Sequence, residues 1–162
     1  MATYSEGLDV GYRHYDANDV TPLFPFGHGP SYTTFRLDDL RVLGTPARGR
    51  PVLASVEVTN TGARRGSQVV QVYVGGADGA GPIAAGQVAP PRRLEGFAKV
   101  WLAPGEHRQV VVGLPTRAFA HWDILSHGWQ VAAGSYTVSV GTSSRDLPLR
   151  APVQVTTGLS GA

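Results

Sequence analysis

Val52-Leu53-Ala54-Ser55-Val56-Glu57-Val58-Thr59-Asn60-Thr61-Gly62 and, six residues on, Gln68-Val69-Val70-Gln71-Val72-Tyr73-Val74 decide the fold of this chain. Val52, Ala54, Val56 and Val58 fall on alternate positions, with Leu53, Ser55, Glu57 and Thr59 between them. A period of two marks a strand with one buried face. Asn60-Thr61-Gly62 supplies turn chemistry, because Asn and Gly tolerate positive φ and the Asn side chain can bond the turn backbone. The second run is apolar on both faces, which places it mid-sheet with material packed on each side. The pair forms the centre of an all-β core.

Working outward, the strand signal continues in both directions. Tyr32 to Val42 reads as a strand with Phe35, Leu37 and Leu40 facing in. Leu94 to Leu102, Arg108 to Leu114 and 135–141 follow the same pattern. Pro104-Gly105 fits the centre of a type II turn. Phe119 to Trp129 reads as a short strand, a loop and the start of another strand. Leu147 to Val155 carries Pro148 and Pro152, which suits an edge strand. Seven or eight strands separated by turns, with no convincing amphipathic helix, predict an immunoglobulin-like or fibronectin type III-like β-sandwich over residues 32–155. Residues 156–162 are small and polar, and a frayed tail is expected there.

Residues 1–31 differ. They hold Tyr4, Tyr12, Tyr15, Phe24, Phe26, His14 and His28 and sustain no period. Thr21-Pro22 and Phe24-Pro25 force extended or turn backbone before each proline. The segment reads as an extended strap or linker that lies over another surface, since its aromatic groups need cover. Without a separate partner it is expected to fold back on the sandwich, exchange with a second copy, or stay disordered. Residues 75–91 form a long Gly/Ala/Pro loop, a length that in a compact domain marks mobility or function.

Bulk composition narrows the function. The chain has 162 residues, 42% hydrophobic and 16% charged, as expected for one folded domain. Net charge is +2, Lys99 is the sole lysine, and the arginines are scattered. No basic stripe tracks a phosphate backbone, so no nucleic-acid partner is expected. No apolar run of about 18 residues occurs, so no transmembrane helix is expected. Residues 1–10 have neither a basic start nor an apolar run, so no signal peptide is read there. The chain has no cysteine, which removes disulfides, thiol chemistry and cysteine zinc sites.

Three stretches resemble a known family. They are Tyr4-Ser5-Glu6-Gly7-Leu8-Asp9-Val10-Gly11-Tyr12-Arg13-His14-Tyr15-Asp16, Leu23-Phe24-Pro25-Phe26-Gly27-His28-Gly29-Pro30-Ser31-Tyr32-Thr33-Thr34-Phe35 and Gly66-Ser67-Gln68-Val69-Val70-Gln71-Val72-Tyr73-Val74. In this order they resemble the C-terminal part of glycoside hydrolase family 3 enzymes, the β-glucosidases and β-xylosidases. Arg93 to Val100, Leu102 to Glu106 and Gly141 to Asp146 are similar to further segments of that family's fibronectin type III-like domain. The abundance of arginine over lysine suits a GC-rich bacterial source. Pro30 departs from the family pattern, which has Leu there.

The resemblance implies a non-catalytic accessory domain that braces the catalytic domains of a parent β-glucosidase and shapes the active-site rim through loop 75–91. In retaining members the nucleophile is an Asp on a barrel domain and the acid/base a Glu on an α/β domain. Neither domain is contained here, so no catalytic residue is expected and the chain alone is not read as an enzyme. Within the strap, Tyr12, Arg13 and Tyr15 are the expected inter-domain contacts, with Arg13 reaching a partner domain. Self-association through residues 1–31 is the other partnering route.

Other chemistry is weaker. A retaining glycosidase needs two carboxyl groups about 5 Å apart. Glu6, Asp9, Asp16, Asp123 and Asp146 all sit in strap or turn contexts. His121, Asp123 and His127 match no metal-ligand spacing, and no metal or other cofactor is expected. Ser143-Ser144-Arg145-Asp146 reads as a polar turn with Arg and Asp tying the corner. Trp101, Trp122 and Trp129 are the candidate binding surface. Exposed and coplanar, they would anchor the parent to a polysaccharide or lignin; otherwise they are core or inter-domain packing.

Overall fold

The computed structural model describes residues 7–76, 91–156 and 158–160. Most of loop 75–91 lies outside the described residues, as do Tyr4 and Glu6.

Ten strands, one short α-helix and a 3-10 turn at Thr116–Phe119 appear among the described residues. Helix α1 is Tyr12–Ala17. The strands are β1 Phe35–Leu43, β2 Val52–Asn60, β3 Gly66–Gly76, β4 Arg93–Leu102, β5 His107–Leu114, β6 His121–Asp123, β7 Gly128–Val131, β8 Gly134–Gly141, β9 Leu149–Val155 and β10 Leu159–Ser160. They form a three-stranded sheet β1-β2-β5, a four-stranded sheet β4-β3-β8-β9 and a small sheet β10-β7-β6. All named strand pairs are antiparallel.

The two larger sheets face each other across the core. Val52, Ala54, Val56 and Val58 from β2 meet Val70, Val72 and Val74 from β3, with Val110, Val112 and Leu114 from β5 and Val138 and Val140 from β8. β3 is central, between β4 and β8, as its two apolar faces require. β9 is an edge strand, and Pro152 sits in it opposite Thr137. This is the all-β, fibronectin type III-like sandwich that the sequence predicts.

β1 shows how Phe35, Leu37 and Leu40 can all face the core despite the odd spacing. The register against β2 shifts between Asp38 and Arg41, and Asp39 takes φ 52°. The extra residue of a bulge reverses which positions face in. So Leu37 is buried, and Phe35, Leu40 and Val42 pack against the core. β1 starts at Phe35 and not at Tyr32 because Thr33 is already engaged, its hydroxyl donating to Asn60 Oδ1 at 2.7 Å.

Asn60 does more than make a turn. Its side chain is fully buried at the end of β2. Oδ1 accepts from Thr33 Oγ1 and from the Gly62 N–H at 3.1 Å. Nδ2 donates to the carbonyls of Arg64 at 2.8 Å and Leu102 at 3.0 Å. All four bonding positions of the amide are used. The turn at 103–106 joins the same hub, since Asn60 N–H donates to Glu106 O and Gly105 N–H to Asn60 O. Gly105 has φ 73°, as a type II turn requires. Gly62 does not take positive φ. It is needed because a Cβ there would stand 2.3 Å from Thr33 Oγ1.

Two expectations need correction. The strap is not extended throughout, because Tyr12–Ala17 form α1. Its i, i+4 spacing puts Tyr12 and Asp16 on one side, and both are held by the sandwich. Of the tail, the described residues Leu159 and Ser160 are not frayed. Leu159 and Ser160 pair with Val131 and Gln130 as β10, and Leu159 packs against the core. A two-residue strand has no periodicity to read, so only β7 reveals it.

Candidate functional site

The strap lies on the outer face of the four-stranded sheet. In β3, Gln71 and Tyr73 point away from the core, yet both are buried. Tyr12 meets Tyr73 edge-on, with ring centroids 5.8 Å apart, and stacks on Phe26 at 5.2 Å. The Tyr12 hydroxyl accepts the Leu94 N–H at 2.7 Å. Burial pushes its phenol above the ordinary tyrosine value, against the opposing pull of the Leu94 N–H and Arg13. Burial likewise raises Tyr73. The Tyr73 hydroxyl donates to Gln71 Oε1 at 2.6 Å, and Gln71 Nε2 donates to Thr142 O at 2.9 Å.

Gly27 crosses directly over Gln71. Its φ is 82°, and a Cβ there would lie 2.0 Å from Gln71 Nε2. Only glycine combines that backbone with that approach. Next to it, the Ser144 N–H donates to Phe26 O at 2.9 Å.

A buried carboxylate completes the fastening. The Asp16 side chain is only 3% exposed and is bracketed by Arg92 Nη2 at 3.0 Å and Arg145 Nε at 2.8 Å. These are close ion pairs without aligned hydrogen bonds to either carboxylate oxygen. Arg145 Nη2 also donates to the carbonyls of Tyr15 at 3.0 Å and Val20 at 2.9 Å. Arg145 therefore leaves its own corner, contrary to the turn-tying role read from sequence. Asp146 holds the corner instead, through the Thr142 hydroxyl and the Ser143 backbone and hydroxyl.

The strap's other side is apolar and open. Leu23 is 88% and Phe24 71% exposed, and Phe26 and Tyr32 are exposed as well. A groove of about 390 Å³ runs beside this ridge, walled by Tyr12, Tyr15, Phe24 and Phe26 with Asp16 and Arg145 beneath.

The strap residues expected from sequence divide. Tyr12 fastens the strap to the sandwich. Tyr15 is exposed, its ring edge-on to His14. Arg13 Nε reaches the Val10 carbonyl at 3.4 Å. Sequence reasoning missed Asp16, Arg92 and Gln71 as fastening groups. The signal available was the presence of Asp16 and Arg145 at the ends of two of the quoted segments.

The tryptophans do not form one surface. Trp122 and Trp129 pack on each other across β6 and β7, ring planes at 75° and centroids 5.6 Å apart. Arg117 stacks over Trp129 at 4.0 Å. Trp101 stands on β4, about 26 Å of strand beyond Arg93, whose guanidinium bonds the hairpin's entry at Ala118 O and Ala120 O. Trp101 is 53% exposed, so it is not core. Lys99 Nζ and Arg65 Cζ lie 5.2 and 5.9 Å from its ring centroid.

Asp123 serves its turn, accepting from Ser126 Oγ and the N–H groups of Leu125 and Ser126. The Ser126 hydroxyl is the main cause of its lowered carboxyl pKa. Among the described residues no group of three His, Cys, Asp or Glu is placed to hold a metal ion.

Glu95 behaves differently. It pairs with Arg93 at 3.0 Å, yet burial raises its carboxyl above the ordinary range despite Arg93, Arg117 and Arg13. A raised carboxyl contributes stability below the ordinary carboxylate pKa and loses it as pH rises through the raised value. Glu95→Gln should therefore gain on the native chain as pH climbs through that window. Urea unfolding at stepped pH checks this, and parallel pH profiles for the two proteins would refute it.

The fold is that of a fibronectin type III-like domain, and residues 68–144 match the family described as "Fibronectin type III-like domain". The chain is 40% identical over 153 residues to thermostable β-glucosidase B of Acetivibrio thermocellus, covering 94% of this chain and 20% of that protein. It is 40% identical to probable β-glucosidase D of Aspergillus niger, covering 97% and 22%. The crystal structure of the Bifidobacterium adolescentis GH3 β-glucosidase superposes with TM-score 0.83 and 41% identity, over 96% of this chain and 22% of that one. The Kluyveromyces marxianus β-glucosidase gives TM-score 0.88 at 37% identity, over 99% and 18%. The chain carries a fibronectin type III-like domain, and over nearly its whole length it is similar to one part of family 3 β-glucosidases. It spans about a fifth of the length of the curated relatives it matches.

Proposed function

We infer that this chain is a non-catalytic accessory domain that braces the catalytic part of a family 3 β-glucosidase. The observation that carries the reading is the two-sidedness of the strap. One side is fastened to the sandwich by Tyr12, Asp16 and Gly27, while the other presents Leu23, Phe24 and Tyr32 to solvent. An exposed apolar ridge on a firmly held segment is how an inter-domain contact looks with its partner absent. The relatives' fivefold greater length supplies such a partner.

The test is a Leu23→Ser/Phe24→Ser double variant in the isolated chain and in the full-length parent. Both side chains are exposed here, so the isolated chain should keep its thermal midpoint within about 2 °C. The parent should lose several degrees and some β-glucosidase activity. Equal, small effects in both contexts would remove the bracing role.

A second reading, anchoring to polysaccharide or lignin, draws on the exposure of Trp101 alone, since the Trp122–Trp129 pair is nearly perpendicular and offers no flat platform. Retention of the purified chain on cellulose, xylan or lignin, lost on Trp101→Ala, would favour it.

A further inference from the structure

The strap covers only part of the outer face of the four-stranded sheet. Residues paired across an antiparallel ladder share a face. Ser67 pairs with Trp101, Val69 with Lys99 and Gln71 with Phe97. Gln71 and Tyr73 are buried under Gly27 and Tyr12, but the row beside them is open. Phe97 is 69% exposed, and Trp101 and Lys99 are exposed with it. Phe97 pairs with Gln71, the residue that Gly27 crosses, so this open patch borders the strap.

We propose that the open half of this face, Phe97, Lys99 and Trp101 with Val69 and Arg65, is a docking surface for the catalytic part of the parent polypeptide. The partner surface it fits has an apolar centre and a carboxylate at its rim. The proposal rests on the bracing function and extends it from the strap to the sheet.

Three observations select that occupant. The relatives continue for about four times the length of this chain beyond what it matches, so ample surface is available. The patch borders the strap at Gln71, so one partner can cover both. Its exposed charge is positive: Lys99 stands open on this face and Arg65 adds a second cation at Trp101, while the row's carboxylate, Glu95, is largely covered and already paired with Arg93. A two-fold contact between copies of this chain would set Lys99 and Arg65 against themselves, which disfavours a second copy. Cations already lie over the Trp101 ring, whereas a sugar-stacking platform needs an unobstructed face.

Hydroxyl-radical footprinting of the isolated chain and of the full-length parent tests this without altering the fold. Phe97 and Trp101 should oxidise about fivefold more slowly in the parent, because interface cores pack as tightly as interiors. Leu23 and Phe24 report the strap contact in the same sample, and exposed Leu125 on the hairpin serves as the unprotected reference. Lys99→Glu in the parent should return Phe97 and Trp101 toward their isolated-chain rates. Protection of Leu23 and Phe24 without Phe97 and Trp101 overturns the proposal and leaves bracing intact. Protection of neither overturns both. Protection that survives Lys99→Glu overturns the acidic-rimmed partner. Protection of Trp101 by added xylan or lignin, and not by the parent, assigns the patch to anchoring instead.

Discussion

Asn60→Ala lowers the unfolding free energy of this chain by about 4 kcal/mol, the largest single-residue effect expected here. The side chain is fully buried and uses all four of its bonding positions. Truncation strands the Thr33 hydroxyl, the Gly62 N–H and the Arg64 and Leu102 carbonyls together. Each stranded buried group costs on the order of 1–3 kcal/mol, and relaxation or entering water recovers part of the sum. The four partners come from the strap's exit, the β2–β3 turn and the end of β4, so the loss is not confined to one turn. Thr33→Val, which removes one bond, should cost only about 1 kcal/mol. Urea denaturation measures both. An Asn60→Ala cost below about 1 kcal/mol would mean that the amide is dispensable and that the hub does not hold these segments together.

Asp16→Ala costs about 3 kcal/mol and releases the strap. Removing one member of a buried ionic cluster leaves the other charges uncompensated, typically at 3–5 kcal/mol. Arg92 and Arg145 are 23% and 30% exposed, so water screens part of that cost and the lower end applies. With the carboxylate gone, α1 keeps only Tyr12 and the Arg145–carbonyl bonds. The expected signature is rapid proteolysis within residues 7–31 while β2, β3 and β8 stay protected. Arg145→Lys keeps the charge but loses the fork that reaches Asp16, Tyr15 O and Val20 O at once, so it should show a milder form of the same release. A fully protease-resistant strap in Asp16→Ala would show that Tyr12, Phe26 and Gly27 suffice.

The alternation in β2, β5 and β8 was readable because one face of each strand meets solvent and the other the core, which writes a period of two into the residues. The central place of β3 was equally readable from its double apolarity. What covers its second face was not, because the cover is the chain's own residues 12–27, more than forty positions away. Fastening by Asp16 is invisible in a pattern of residue types, since its partners Arg92 and Arg145 come from distant segments. β10 escaped notice for the same reason: two residues become a strand only because β7 offers a free edge.

The candidate site divides in the same way. Tyr12 could be picked from the strap as an aromatic group needing cover. The distinction between Trp101, exposed beside two cations, and Trp122 with Trp129, packed on each other, rests on which strand each occupies and what lies opposite.

By itself the sequence determined the sandwich, its central strand and its family, because local alternation and ordered motifs are properties of the chain. Only the tertiary structure decided that the strap docks on its own sheet, which of its aromatics are spent in doing so, and which remain exposed. Those outcomes depend on long-range ion pairs and close approaches such as Asp16 with Arg145 and Gly27 over Gln71, where burial strengthens each contact and no sequence period records it.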